Sequence, residues 1–361
     1  MNKKILNIYI VIKYYVNLKN NFISIIINLR YDIYLLMKRI LLIQIFFCVL
    51  TSILFAQNKL KFSANSVESM IDNNVPIKLF KDNVQIQDSN RILYADLAKQ
   101  IPDSNKVILS GSVRMYEQSD SLECDKLIIR KYDDNTYYAI GNVILKDSSR
   151  TVYGDTLFIE YKNDLLKRLN VKSNAMIYSK QYWEKDSEKK VFQDKMEGQS
   201  ILIDFDTTEQ IDFIEISGMA SANFTILKDD MIKGMNEVSG DSMLINFLDN
   251  NINTMEVLGG VIGQFTPDKE NKNISYPVLY TAAHINYNLK SEKTILTNNA
   301  KIEYGETTLK GGKIEADLNL NLVESKLMDS IFPSVSSGSE SPTYGNYMIF
   351  DLETEIGNIE D

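Results

Sequence analysis

The chain has 361 residues, of which 44% are hydrophobic, 24% charged and 10% aromatic, with 16 Gly and 6 Pro. This balance is typical of a folded protein, and it excludes collagen, low-complexity disorder and a polytopic membrane protein. The formal net charge is −9.

The first 56 residues are predicted to precede the folded part of the chain. Residues 1–36 are rich in Ile, Asn, Lys and Tyr without a regular period, and we interpret them as a spurious N-terminal extension. Residues 37–56 have a basic start, an uncharged apolar run from Ile40 to Phe55 and a small residue, Ala56, which predicts a cleaved Sec signal peptide. The alternative is a single membrane anchor, because about 18 apolar residues can span a bilayer.

Cleavage after Ala56 leaves 32 basic and 47 acidic residues, a net charge of −15. An acidic exported chain is a poor candidate for binding nucleic acid, because basic patches supply the affinity for phosphates. Cys48 leaves with the signal peptide and Cys124 stays alone. No intramolecular disulfide is therefore expected in the mature chain.

One pattern recurs along almost the whole mature chain. A small residue, usually followed by Asp, precedes alternating apolar residues, and a second alternating run passes through Gly-Asn-Val or a close variant. Equivalent positions of the repeat are Gly111, Gly141, Ser173, Gly218, Gly259 and Asn298. Strict alternation predicts half-buried strands, and Gly beside Asp or Asn predicts corners between strands. No long amphipathic helical stretch is present, so the expected fold is all-β.

Three polar segments interrupt the repeat, and their composition predicts solvated loops. They are residues 179–195, 266–273 and 333–342. Trp183 lies in the first, and we expect it to be exposed or locally packed rather than to bind a ligand.

The sequence carries no catalytic signature. The only histidine, His284, lies on the polar side of an alternating strand, so a catalytic dyad or triad with an imidazole could be built only there. The His and Cys counts exclude metal sites made of clustered His or Cys, and no phosphate-binding G-x-x-x-x-G-K-[ST] loop occurs. Paired carboxylates stay open because acidic residues are numerous. We expect a protein that is not an enzyme and that holds no cofactor or metal.

The repeat resembles the OstA-like family at the level of A/G-D-x-L-x-I/Y followed by G-N-V. This family includes the periplasmic bridge protein of lipopolysaccharide transport (LptA) and the N-terminal domain of the outer-membrane assembly protein (LptD). The resemblance covers roughly residues 61–325 and is best in 139–161 and 300–318. It implies an open, twisted antiparallel β-jellyroll made of repeated strand pairs, whose two sheets form a V-shaped trough.

The resemblance also implies a division of the mature chain. Residues 57–178 would form the first part of the jellyroll and 196–325 the second. Residues 326–361 would be a linker and the start of a further strand of a truncated chain.

The function implied by the resemblance is periplasmic lipopolysaccharide transport or outer-membrane assembly. The trough would bind lipid A acyl chains, and edge strands would join other jellyroll proteins, including the outer-membrane assembly protein. The implied location is the periplasm, in association with the outer membrane. The inward residues that would contact lipid are Leu127, Ile129, Val143, Leu145, Leu157, Ile159, Tyr161, Val171, Ala175, Ile177, Ile201, Ile203, Phe205, Met243, Ile245, Phe247, Val261, Ile285, Tyr287, Ile302 and Tyr304.

Four alternatives stay open at this point. The same residues could form a closed sandwich core, or the chain could be the truncated N-terminal domain of an outer-membrane assembly protein. A ligand-free scaffold is the third alternative. A β-solenoid surface or polysaccharide-processing protein is the fourth, although repeat spacings of 30 to 45 residues disfavour its near-constant stacking.

Overall fold

The computed structural model describes residues 60–360 with short gaps. The gaps are 89–90, 132–134, 149, 163–164, 186–187, 209, 229–230, 249–250, 272, 289–290, 292 and 318–319. All described residues belong to the second of two compact units, Gln44–Asp361. The first unit, Met1–Ile43, lies outside the described residues, as do the predicted N-terminal extension and signal peptide.

The described chain is a succession of 21 strands, with one short 3-10 turn at Pro102–Ser104. The strands are β1 (Lys61–Ser63), β2 (Ser66–Asp72), β3 (Val75–Asp88), β4 (Arg91–Ile101), β5 (Lys106–Glu117), β6 (Asp120–Arg130), β7 (Thr136–Lys146), β8 (Arg150–Lys162), β9 (Leu165–Lys185), β10 (Glu188–Phe205), β11 (Ile211–Lys228), β12 (Met231–Leu248), β13 (Asn251–Pro267), β14 (Val278–Asn288), β15 (Lys293–Tyr304), β16 (Thr307–Asp317), β17 (Leu322–Lys326), β18 (Ser334–Ser337), β19 (Thr343–Tyr344), β20 (Tyr347–Asp351) and β21 (Ile356–Glu360). Within these residues no helix is long and apolar enough to cross a membrane.

The strands form one open antiparallel sheet, which confirms the predicted all-β class. From β3 to β17 each strand pairs with the next one along the chain. At one end β1 and β2 both pair with β3. At the other end β18 and β19 follow β16, while β20 and β21 follow β17. Because all these pairings are antiparallel, the described part of the chain is not a parallel β-solenoid.

The predicted corners are bulges in the middle of strands, so their assignment between strands was wrong. Each of the six repeat positions begins a pair of residues with positive φ, as in Gly141 (79°) and Asn142 (48°). The ladder register shifts at the same places, for example between Ile140 and Val143 opposite β8. A bulge bends its strand and increases the local twist, so each long strand is divided into two halves.

The repeated Asp explains why glycine stands at several of these bulges. The carboxylate of Asp125, on β6, lies where a β-carbon on Gly141 would be, and it accepts a hydrogen bond from Asn142 Nδ2 at 3.0 Å. The same arrangement places Asp96 against Gly111 and Asp241 against Gly259. A β-carbon on these glycines would collide with the carboxylate, and the left-handed backbone conformation also favours glycine. Ser173 stands at the equivalent position beside Asp155, so the repeat also accepts a small side chain there.

The half-strands form two layers that pack face to face. Layer A consists of the half-strands that contain residues 106–110, 126–130 and 136–140, together with the half-strands that pair with them along the sheet. Layer A also includes β17, β20 and β21. We call layer B the halves on the other side of the bulges, with β18 and β19. Residues far apart in the sheet meet across the interior, as when Arg91 Nη1 of layer B donates to Tyr137 Oη of layer A at 3.0 Å.

The predicted loop at 179–195 was wrong, because β9 and β10 extend through it as a hairpin. Tyr182 pairs with Val191, and Trp183 is buried with Lys190 Nζ over its ring at 5.2 Å. Alternating partners on the facing strand stabilise a charged segment that its composition alone would leave in solvent. The sheet therefore continues without a break between the two predicted parts of the jellyroll.

The two other predicted loops are partly strand. β13 continues to Pro267, and the described residues between Asp268 and Pro277 form a loop in which Ile274 is buried. In the segment 333–342, Ser334–Ser337 pairs with β16. Near the end of the described chain, Tyr347–Asp351 forms β20, in which Met348 and Phe350 are buried.

Candidate functional site: the apolar interior

The strongest feature of the molecule is a continuous row of inward residues in layer A, which we call the central row. Each member is the ladder partner of the next, and the row crosses the sheet from β4 to β20. It consists of Ala98, Leu109, Leu127, Ala139, Leu157, Val171, Ile201, Ile216, Met243, Val257, Ile285, Leu296, Ile314, Ser325 and Met348. All of them are buried. Period-2 alternation kept in register across neighbouring strands produces this single apolar surface.

The sequence-predicted inward residues occupy this interior. They are buried except Ile177, Phe247 and Tyr287, which are half-buried. Leu127, Leu157 and Ile201 lie in the central row, whereas Val143, Val261 and Ile302 lie across the bulges in layer B. The alternation alone predicted which side of each strand faces inward.

The central row has one polar member, Ser325, and its hydroxyl group forms a hydrogen bond within the protein. Ser325 is buried, and its hydroxyl donates a hydrogen bond to the carbonyl oxygen of Lys313 at 2.7 Å. Layer B has a second polar contact, where Tyr280 Oη donates to Asn236 Oδ1 at 3.0 Å across Gly263. Burial raises the pKa of Tyr280 to about 12. Both groups are satisfied inside the protein, so neither presents an unpaired polar atom to the interior.

A buried polar cluster joins the free ends of the two layers near β4 to β8. Arg91 Nε donates to Glu117 Oε2 at 2.7 Å, and both side chains are almost fully buried, with 6% and 3% exposure. Arg91 also reaches Tyr137 Oη, and the Tyr137 ring packs against Tyr161 with centroids 5.9 Å apart. Burial by itself lowers the pKa of Arg91, but Tyr137, Tyr161 and Glu117 outweigh it and raise that pKa above its usual value. The guanidinium therefore stays charged and holds the layers together.

Two further contacts join the layers. Lys131 Nζ, at the end of β6 in layer A, contacts Asp88 Oδ2 of layer B at 2.9 Å. At the other end of the sheet, the ring of Tyr304 in layer B meets that of Phe350 in layer A, with centroids 6.5 Å apart. Sequence reasoning missed these closures, because the partners lie 43 or more residues apart and share no local pattern.

A second row of layer A, one step nearer the free ends of the strands, is not uniformly covered. We call it the outer row: Val107, Ile129, Tyr137, Ile159, Leu169, Ile203, Ile214, Ile245, Met255, Tyr287, Thr294, Ala316, Val323 and Phe350. It is buried from Val107 to Ile245, half-buried at Met255, Tyr287 and Thr294, and buried again from Ala316 to Phe350.

The described residues offer little for chemistry at this interior. They include no group of three His, Cys, Asp or Glu side chains that could hold a metal ion. His284 lies beside the bulge of β14, and its Nε2 is buried without a hydrogen bond to any described residue. Burial raises the pKa of the Cys124 thiol to about 11, so this cysteine is protonated and unreactive at neutral pH.

A small apolar cavity of about 280 Å³ lies at the β2–β3 edge. It is lined by Ser69, Met70, Ile71, Pro76, Ile77, Lys78 and Pro102. Typical ligand pockets occupy roughly 300–1,000 Å³, so this cavity is too small for a lipid with several acyl chains.

Comparison with known proteins supports the resemblance for part of the chain. Residues 59–181, about a third of the sequence, match the model of the family described as OstA-like protein, so this segment is OstA-like as predicted. No curated protein matches the chain significantly.

One solved structure that matches is the crystal structure of LptH, described as the LptA homologous periplasmic component of the conserved lipopolysaccharide transport device from Pseudomonas aeruginosa. The alignment has 14% sequence identity and covers 39% of this chain and 87% of LptH, with a TM-score of 0.28. A TM-score this low does not establish a shared three-dimensional arrangement. The fold of this chain therefore rests on the strand pairing described above.

Proposed function

We propose that this chain, whose residues 59–181 match the OstA-like family, is a non-enzymatic periplasmic protein of lipopolysaccharide transport associated with the outer membrane. Its ligand would be lipid A, held by its acyl chains between the two layers. The observation that carries the proposal is the central row, an apolar surface that continues across the sheet from Ala98 to Met348.

The physical chemistry of the interior suits an acyl chain. Burial of one CH₂ group contributes about 0.8 kcal/mol, so several chains would bind without help from charge. An acidic protein can therefore carry an anionic glycolipid, provided that the phosphates stay outside. The interior is filled by its own side chains in this structure, so lipid must enter by separating the layers or through a part that is already uncovered.

The sheet edges suggest how such a protein would join its partners. β2 lies at one edge of layer A, with Val67, Met70 and Ile71 exposed, and β21 lies at the other edge with Ile356 exposed. An edge strand presents unpaired backbone groups that accept a further strand. We propose that other jellyroll proteins of the transport system, including the outer-membrane assembly protein, add to these edges.

A photo-crosslinking experiment tests lipid binding. A photoreactive amino acid replaces Phe247, which is half-buried on the inner face of β12, and in a matched variant it replaces Leu244, half-buried on the outer face of the same strand. With purified full-length chain and lipopolysaccharide, we expect at least roughly tenfold more lipid adduct at Phe247. Equal labelling, or labelling only at Leu244, would contradict the proposal.

A further inference from the structure

The outer row points to the place where the ligand reaches the interior. We propose that Met255, Tyr287 and Thr294 form a lateral window for the acyl chains of the lipid, and that the β4–β8 end of the interior is not a binding site. This inference rests on the proposed function and specifies which part of the interior binds. The three residues are consecutive ladder partners on β13, β14 and β15. They are half-buried, although the row is buried on both sides of them.

The two ends of the interior are fastened on either side of this window. On one side, the bonds Arg91–Tyr137 and Lys131–Asp88 tie the layers together near β3 to β8. On the other side, Tyr304 packs against Phe350 across the layers. Separating the layers at the first end would break the hydrogen bond from Arg91 to Tyr137 and would leave the buried carboxylate of Asp88 without Lys131, which is costly.

Layer B is shaped differently opposite this region. β9 has 21 residues and β10 to β12 have 18 each, whereas β4 to β7 have 11 or 12. Most of the additional length lies in layer B, where Phe224 and Ile226 are inward and half-buried. These longer strands therefore extend the apolar surface beyond the ends of the shorter half-strands of layer A.

Two glycines let aromatic rings lie flat on the inner surface of layer B. The ring of Tyr280 lies where a β-carbon on Gly263 would be, and the ring of Phe265 lies close to that position on Gly234. An aromatic ring that lies against the backbone of the next strand projects less into the interior than one that stands upright on the sheet.

The pairing of the strands identifies the occupant as a hydrocarbon chain rather than a peptide strand. β13, β14 and β15 are each hydrogen-bonded to a neighbour on both sides. They present no free backbone groups on which a further strand could add. An acyl chain needs no hydrogen bonds, and the exposed apolar area is what it can cover.

Crosslinking at two positions of the same row tests the window. A photoreactive amino acid replaces Met255 in one variant and Ile159 in the other, in the full-length chain mixed with lipopolysaccharide. We expect lipid adducts at Met255 and at least roughly tenfold fewer at Ile159. Adducts at Ile159 that equal or exceed those at Met255 would overturn the window but not the proposed function. Adducts at Phe247 without any at Met255 would have the same consequence. No adduct at any of these three positions would overturn the proposed function itself.

A substitution that fills the window gives a second test. We expect Thr294→Trp to weaken lipopolysaccharide binding roughly tenfold, because the indole would occupy the half-buried site. Ile295→Trp places the same ring on the opposite face of β15, also at a half-buried position, and should leave the affinity within about twofold. Far-UV circular dichroism and thermal melting verify that both variants fold. Unchanged binding by a folded Thr294→Trp variant would refute the window.

Discussion

At the residue scale, the fold depends on pairs of left-handed residues repeated once in every second strand. Non-glycine residues in this conformation cost roughly 1–2 kcal/mol, yet Asn174, Met219 and Asn299 all adopt it. Gly141 shows a second requirement, since Asp125 occupies the space above it. The Gly and Asp of the repeat are therefore two halves of one packing contact between neighbouring strands.

A comparison of Gly141→Ala with Gly260→Ala separates the effect of the Asp125 contact on stability from the effect of the left-handed backbone conformation. Gly260, with φ of 59°, has no heavy atom within 4 Å of its would-be β-carbon, so Gly260→Ala should lose only about 1–2 kcal/mol of unfolding free energy. Gly141→Ala also places an alanine in the left-handed region, with φ of 79°, and must in addition displace Asp125. We expect it to lose at least about 1 kcal/mol more in urea unfolding. Equal losses would show that the carboxylate moves aside freely.

At the scale of elements, the β9–β10 hairpin is the part of the fold that the amino-acid composition of its sequence did not predict. β10 pairs with β11 only from Lys195 onward. At the preceding residue, Asp194, hydrogen bonds of the side chain replace the backbone pairing with β11. Its carboxylate accepts hydrogen bonds from Thr225 N, at 3.0 Å, and from Gln181 Nε2. The Gln181 amide also donates to Thr225 O at 3.4 Å. The side chains of Asp194 and Gln181 thus form hydrogen bonds with the backbone of Thr225 on β11, where β10 no longer pairs with β11.

The stability of this junction should depend on pH. Burial raises the pKa of Asp194 above its ordinary value of 3.8, although Gln181 and Thr225 oppose the shift. The folded state then binds the proton more tightly than the unfolded state, so this contribution to stability is present below pH 3.8 and is lost as the pH rises through the raised pKa. The unfolding free energy of the wild type minus that of Asp194→Asn should therefore fall as the pH rises from 3.8 through the raised pKa.

Asp206→Asn provides a control of opposite sign for the Asp194 experiment. Burial raises the pKa of Asp206, but hydrogen bonds from Gln210 and Thr208 outweigh it and leave the pKa below its ordinary value. Its contribution is present above the unfolded pKa and is lost as the pH falls through the lowered value. Urea unfolding at several pH values measures both slopes. Slopes of the same sign would contradict the assignment for Asp194.

At the scale of the whole molecule, an open sheet with two layers leaves edges that a closed barrel would not have. Ile71 on the edge strand β2 is 75% exposed, and Ile262 on β13, which is paired on both sides, is 63% exposed. The two residues are similarly apolar and exposed, but only Ile71 lies beside unpaired backbone groups. Of these two isoleucines, only Ile71 would therefore contribute to self-association or partner binding through an edge.

Substitution of these two isoleucines by lysine tests assembly through the edge. We expect Ile71→Lys to reduce concentration-dependent association in sedimentation velocity by roughly tenfold, because a charge on the edge opposes strand addition. Ile262→Lys should leave association unchanged, and neither variant should lose more than about 0.5 kcal/mol of stability, because both positions are exposed. Equal effects of the two lysines would show that general surface hydrophobicity, and not the edge, drives association.

The sequence by itself determined the all-β class, the inward side of each strand and the positions of the bulges. These properties follow from alternation and from backbone conformations that Gly, Asn and Asp adopt locally, so they are encoded within a few neighbouring residues. For this reason residues such as Leu127 and Ile285 could be placed in the interior without a structure. The repeat did not distinguish a corner between strands from a bulge within one, since both require the same backbone.

Only the tertiary structure decided where the interior is fastened and where it is uncovered. Arg91 and Tyr137 lie 46 residues apart, and nothing in their own strands marks them as partners. Met255 and Ile159 have the same alternating context, yet one is half-buried and the other is buried. Burial depends on what the opposite layer places over a residue, which is a property of chain segments that meet only in the folded state.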